Sequence, residues 1–187
     1  MDENFNKHFN LVKNLKLNCS KAAARTLYFQ TINTHDDVVL ELGSNEGVSS
    51  IFLAAALRDK NSKSKVYCVD SWKADDLTFK NFLSNVEIFN DYVVPLIGTP
   101  DEVYNKWPVC TKIGLVHFNY SRESYNIERA FNLWSALLPV GGVVIFDSVP
   151  SNSSSTKVAS HLPKNFKVIF DVMFKRSNKW VAVKTDE

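Results

Sequence analysis

The sequence predicts an α/β fold: a doubly wound, mainly parallel seven-stranded sheet with a C-terminal antiparallel hairpin and N-terminal helices. Three observations carry this. From residue 38 onward, short β-branched apolar runs alternate with amphipathic or Ala/Leu-rich stretches, the pattern of successive βαβ units. The first such run ends in Gly43, and Ser44-Asn45-Glu46 lead on to Gly47 and a helical stretch. The last two runs, 166–174 and 179–184, are separated by Lys175-Arg176-Ser177-Asn178, which suits a hairpin and not a crossover.

The elements follow in order. Phe5, Phe9, Leu11, Val12, Leu15 and Leu17 recur at helical spacing, and Ser20 is placed to cap a second helix, KAAARTLYFQTI. Strands are expected at 38–43, 65–70, 92–98, 112–118 and 143–147, with Pro95 an objection to a central place for the third. Helices are expected at 46–58, within 75–89, at 101–107 and at 124–138, the last ended by Pro139 and Gly141-Gly142. Residues 156–162 suit a short helix ahead of Pro163.

A chain of 187 residues, 45% apolar and 12% aromatic, can bury a real core and argues for one compact domain, 1–187. Within it, 1–35 form a helical N-terminal cap and 36–187 the core. A formal charge of +2 gives no reason to expect nucleic acid or anionic membrane as a partner. The polar start MDENFNKHFN lacks the plan of a signal peptide, and no apolar run is long enough for a membrane span. Cys19, Cys68 and Cys110 form no CxxC pair. Together these features point to a cytoplasmic protein with reduced thiols.

An open doubly wound sheet binds its ligand beyond the carboxyl ends of its strands, so the informative residues come just after each strand. Gly43, Ser44, Asn45 and Gly47 form a turn that lets a ligand approach backbone and the free N–H groups of the next helix. The pattern acidic-x-Gly-x-x-x-Gly, starting at Glu41, differs from the G-x-G-x-x-G of a pyrophosphate site. It suits a cofactor carrying a sulfonium and an amino acid, whose ammonium a carboxylate helps orient; the same residues also suit a plain strand–helix turn. Asp70, ending the second strand, can accept from two ribose hydroxyls or simply cap a helix, and Ser71 and Trp72 can flank an adenine. Asp101, after Gly98-Thr99-Pro100, can cap the next helix or bond an adenine edge.

The succession ELGSNEG, VYCVDSW, LIGTPDEV, IGLVHFNYSRESY and LLPVGGVVIFD resembles the class I S-adenosylmethionine-dependent methyltransferases over about residues 37–148. It is most similar to the small O-methyltransferases of the catechol type and the macrocin (sugar-modifying) type. The resemblance implies a Rossmann-like core. Glu41, Gly43 and Gly47 would line the methionine part of S-adenosyl-L-methionine, Asp70 would hold the ribose, and Thr99 and Asp101 would lie near the adenine. Asn119 falls where the family places an Asp that contacts metal or the cofactor amino group, and Asp147 where it places a metal-binding Asp. A small-molecule or carbohydrate hydroxyl is the implied acceptor.

The chain departs from the family at one stretch. Relatives commonly read Ile-Asp-Gly-Asp-His after strand four, whereas this chain reads Phe118-Asn119-Tyr120-Ser121-Arg122, and Ser148 follows Asp147. Asn119 and Asp147 would make a poor magnesium site, so no metal is expected. Asp147 is the best-placed base for an acceptor hydroxyl. Arg122 stays protonated and suits an oxyanion, and Tyr120 can stack or donate. His117, inside strand four, is expected to be a hydrogen-bonded core residue more readily than a base. His161 is a further candidate base, while His8 and His35 suit the surface or a helix cap. Two other readings stand beside the enzyme: a methyltransferase-like domain without catalysis, motivated by the lost acidic residues, and a nicotinamide-dependent oxidoreductase, opposed by the missing G-x-G-x-x-G.

Overall fold

The computed structural model describes residues 2–15, 17, 19–35, 37–74, 76–108, 110–119, 127–147, 162–169 and 179–186. Among the described residues seven strands form one sheet: β1 (Val38–Leu42), β2 (Val66–Asp70), β3 (Val93–Ile97), β4 (Ile113–Phe118), β5 (Val143–Asp147), β6 (Phe166–Val168) and β7 (Lys179–Lys184). Their order is β3-β2-β1-β4-β5-β7-β6. The first five run parallel, while β7 lies antiparallel to both β5 and β6. The order reverses between β1 and β4, which makes their carboxyl ends the crevice of a doubly wound sheet. Pro95 is tolerated because β3 is an edge strand, paired only with β2.

Among the described residues six helices flank the sheet: α1 (Asp2–Asn14), α2 (Lys21–Asn33), α3 (Val48–Asp59), α4 (Leu77–Val86), α5 (Pro100–Tyr104) and α6 (Ile127–Ser135). A 3₁₀ turn, Glu87–Tyr92, follows α4. Ser20 caps α2, its hydroxyl accepting from the Ala23 N–H at 3.2 Å. Alternation along each strand divides the core. Val39, Val66, Cys68, Leu115, Ile145 and Val181 face the side with Phe5, Leu27, Phe52 and Phe82. Leu40, Leu42, Val116, Phe118, Val144 and Phe146 face Phe131 and Trp134. In α3, Ala54, Ala55 and Ala56 are fully buried, because small side chains let the helix lie close to the sheet. The N-terminal helices are tied to the end of α3, where Asp59 Oδ2 accepts from Tyr28 Oη at 2.7 Å and lies 2.8 Å from His8 Nε2, and to β4, where Thr34 Oγ1 donates to the Gly114 carbonyl at 3.0 Å.

The expected helix 156–162 and the hairpin turn 175–178 lie largely or wholly outside the described residues. Of the strand expected at 166–174, the described part pairs over Phe166–Val168.

Candidate functional site

The glycine turn is built by backbone conformation. Gly43, Asn45 and Gly47 have φ of 89°, 48° and 82°, a left-handed region that glycine enters without penalty and asparagine more readily than most. At Gly47 a Cβ would come within 2.9 Å of both Phe82 and Val86, so helix α4 packs directly against the turn. The Gly47 N–H closes it on the Ser44 carbonyl at 2.8 Å. Ser44 Oγ is buried without a hydrogen-bond partner among the described residues. Asp70 braces the turn from the next strand, its Oδ2 accepting from the Asn45 N–H at 2.8 Å. Burial pushes the Asp70 carboxyl up, and backbone N–H groups of Asn45 and Ser71 offset part of that.

Trp72 serves this turn as structure. It is 3% exposed, its ring centroid lies 4.5 Å from that of Phe82, and its Nε1–H donates to the Asn45 carbonyl at 2.9 Å. Beside it, beyond the ends of β2 and β3, opens a cavity of about 540 Å³ lined by Tyr67, Ser71, Trp72, Gly98, Glu102 and Trp107, among others. That volume is in the usual range of a small-ligand site. Glu102 and Trp107 were not among the expected site residues. Thr99 caps α5 through a capping box with Glu102. Asp101, expected either to cap this helix or to meet an adenine, does not supply the cap; both its oxygens lie 3.1 Å from Arg129 Nε.

A second cluster sits at the carboxyl ends of β1, β4 and β5. Glu41 is fully buried. It accepts from the Ser50 hydroxyl, and its Oε1 lies 3.0 Å from His117 Nδ1. The carboxylate expected beside a cofactor ammonium is thus turned into the protein, toward α3 and β4. His117 is also fully buried, and its other nitrogen, Nε2, lies 2.9 Å from Asp147 Oδ1. Lys179, the first residue of β7, donates to the same Asp147 oxygen and sits 3.3 Å from His117 Nε2. Burial alone would raise the Asp147 carboxyl; the Lys179 ammonium and His117 outweigh it and hold it well below the usual carboxylate range. Glu41 is likewise held low against burial, by His117 and the serines of α3.

His117 was expected as a core residue with a hydrogen bond; it bridges two carboxylates. Lys179 carried no expectation at all. Strand parity was the available signal: Glu41 pairs with His117 and Asp147 with Lys179 in register, and all four share the sheet face of Val39, Leu115, Ile145 and Val181.

Asn119 joins the two clusters. Its Nδ2 donates to the Gly43 carbonyl at 2.9 Å and to Ser49 Oγ at 3.1 Å. As a metal site the donors fit poorly: the Asn119 amide nitrogen faces the turn, and Asp147 Oδ1 already holds an ammonium. Among the described residues no three His, Cys, Asp or Glu side chains gather as ligands. Tyr120, Arg122 and His161 lie outside the described residues. No helix among the described residues is long and apolar enough to cross a membrane.

The fold recurs in solved structures. The O-methyltransferase TomG of Streptomyces achromogenes, involved in tomaymycin synthesis and solved with S-adenosylmethionine, is 16% identical. The match covers 100% of this chain and 91% of that one, with a TM-score of 0.66. An O-methyltransferase of Bacillus cereus solved with S-adenosylhomocysteine is 17% identical over 98% of this chain and 92% of that one, with a TM-score of 0.64. An rRNA methylase of Streptococcus thermophilus is 11% identical over 88% and 97%, with a TM-score of 0.62. No curated protein matches the sequence. A family model described as a methyltransferase domain matches residues 40–149, a stretch that carries the turn, the cavity and all of the buried cluster but Lys179, and the chain therefore belongs to the class I S-adenosylmethionine-dependent methyltransferases.

Proposed function

We propose that the protein transfers a methyl group from S-adenosylmethionine to a hydroxyl of a small molecule, a sugar being one candidate acceptor class. The observation that carries this is the pairing of two features at one end of the sheet. One is the left-handed glycine turn braced by Asp70 beside the 540 Å³ cavity; the other is the partly open carboxylate of Asp147, its side chain 34% exposed.

The cofactor, when bound, supplies a sulfonium methyl open to in-line attack. On this reading Gly43, Ser44, Asn45 and Gly47 cradle its amino-acid part and Asp70 accepts from the ribose. Ser71, Trp72 and the cavity beyond them take the adenine, with Thr99 and Asp101 nearby. Asn119 holds the turn in place from β4, and the helices of residues 1–35 border the acceptor. Asp147 is the group set to accept a hydrogen bond from the acceptor hydroxyl and so orient it, with Tyr120 and Arg122 as candidate neighbours. Alignment of the reacting groups supplies much of the acceleration in such a transfer. The near-balanced charge of +2 favours a small acceptor over nucleic acid.

Isothermal titration of the chain with S-adenosylmethionine, followed by transfer of a labelled methyl to 3,4-dihydroxybenzoate and to methyl glucoside, tests the reading. Binding with transfer to either probe is expected. No binding at millimolar cofactor would sink it, and binding without transfer to any hydroxyl would favour a non-catalytic methyltransferase-like domain.

A further inference from the structure

We propose that Lys179 is a built-in cation of the acceptor site, its ammonium filling the place beside Asp147 that a divalent metal ion would have to share. Lys179 opens β7 and stands in register with Asp147, the last residue of β5. The antiparallel return of β7 is what brings a lysine to the carboxyl end of a parallel sheet. Its side chain is only 6% exposed, a burial that lysine accepts only when paired. The pairing is dense: Nζ donates to Asp147 Oδ1, with His117 Nε2 3.3 Å away.

Both contacts of Asp147 fall on Oδ1. Among the described residues Oδ2 has no hydrogen-bond partner, and the side chain is one third exposed. One edge of the carboxylate is therefore clamped by a fixed positive charge while the other faces outward. A second cation at Oδ1 would meet the ammonium at close range and the repulsion of like charges. The other candidate ligand, Asn119, turns its Nδ2 to Gly43 and Ser49. The positive charge that orients Asp147 is thus supplied by the chain itself. Its use, holding Oδ2 toward the acceptor hydroxyl, rests on the methyltransferase reading above; Lys179 acts there as a positioning residue.

Manganese(II) titration followed by electron paramagnetic resonance tests this on the full chain. The wild type is expected to bind no Mn²⁺ that Asp147→Asn removes. Lys179→Met, which keeps the aliphatic stem and drops the charge, is expected to gain a site at least about tenfold tighter, lost again in Lys179→Met/Asp147→Asn. Lys179→Arg keeps the charge and is expected to exclude Mn²⁺ as the wild type does. A wild-type site that Asp147→Asn abolishes, or Mn²⁺ binding by Lys179→Met no tighter than wild type in a sample with native circular dichroism, overturns the proposal. If Lys179→Met does not fold, the wild type against Asp147→Asn and Lys179→Arg decides. Titration of the same samples with S-adenosylmethionine keeps the two questions apart: a chain that binds no cofactor loses the methyltransferase reading and leaves the manganese result standing.

Discussion

The two ends of the crevice are made of different materials. On the β1–β2–β3 side the site is backbone: a left-handed turn, N–H groups, and one half-buried carboxylate that braces Asn45. On the β4–β5–β7 side it is side chain: His117, Asp147 and Lys179, joined by Glu41 reaching in from β1. A backbone site tolerates variation in every side chain that does not force a φ angle, whereas a buried ionic chain fails when any member leaves, because the remaining charges have lost water and partner together. The contrast also separates the two tasks of the site. On the function proposed above, the turn receives the cofactor in one shape, while the ionic chain fixes the direction of a single carboxylate.

The largest expected effect tests the ionic side. Glu41→Ala strips His117 and Ser50 of a fully buried partner, and should lower the unfolding free energy by about 3–5 kcal/mol, read by urea denaturation. A loss under about 1 kcal/mol would show that the four residues do not act as a chain. Next comes the backbone side. Gly47→Ala places a Cβ within 2.9 Å of Phe82 and Val86 at a φ of 82°, and should cost about 2–4 kcal/mol by strain and overpacking. It should weaken S-adenosylmethionine binding in the calorimeter at the same time. Stability lost with binding intact would detach the turn from the cofactor.

Asp70→Ala sharpens the comparison at smaller scale. It should weaken the cofactor by about 1–3 kcal/mol with little change in unfolding midpoint, since Asp70 braces a turn and is not part of a buried ion pair. Unchanged affinity would leave Asp70 a brace only.

The smallest effect is one of pH, and the two sides have opposite signs. Glu41 and Asp147 are held below the ordinary 4.5 and 3.8. Their contribution to stability is therefore present above those values and lost as pH falls through their lower folded values. Asp70 is raised above 3.8; its contribution is present below that value and lost as pH rises through its folded value. Asp70→Asn should accordingly raise the thermal midpoint slightly at neutral pH, with the gain vanishing near pH 4, while the wild type loses stability below about pH 4. A gain that grows on acidification would reverse the assignment for Asp70.

Much of this contrast was visible in the sequence on one side only. The turn is local: Gly43 and Gly47 stand four residues apart behind an apolar run, and Asp70 ends the next run, so pattern and position sufficed. Even there the cap of α5 was open: of the two roles offered for Asp101 the cap falls to Thr99, two residues earlier, while Asp101 meets Arg129, 28 residues away. The ionic side joins residues separated by 76, 30 and 32 positions. Asp147 was singled out by its place at the end of β5, yet its partners were not: His117 looked like one buried histidine and Lys179 like one lysine at the start of a strand.

The sequence by itself determined the alternation of strand and helix, the glycine turn, the ends of the strands where a site must lie and the family to which the chain belongs. These rest on short-range periodicity and on the steric freedom of glycine, both local properties of a chain. Tertiary structure alone decided that Glu41 turns inward, that Asn119 ties β4 to the turn, and that Lys179 meets Asp147 at the end of β5. Those outcomes depend on strand order and register, and an antiparallel β7 beside β5 is what sets a buried ammonium where the sequence had offered only a carboxylate.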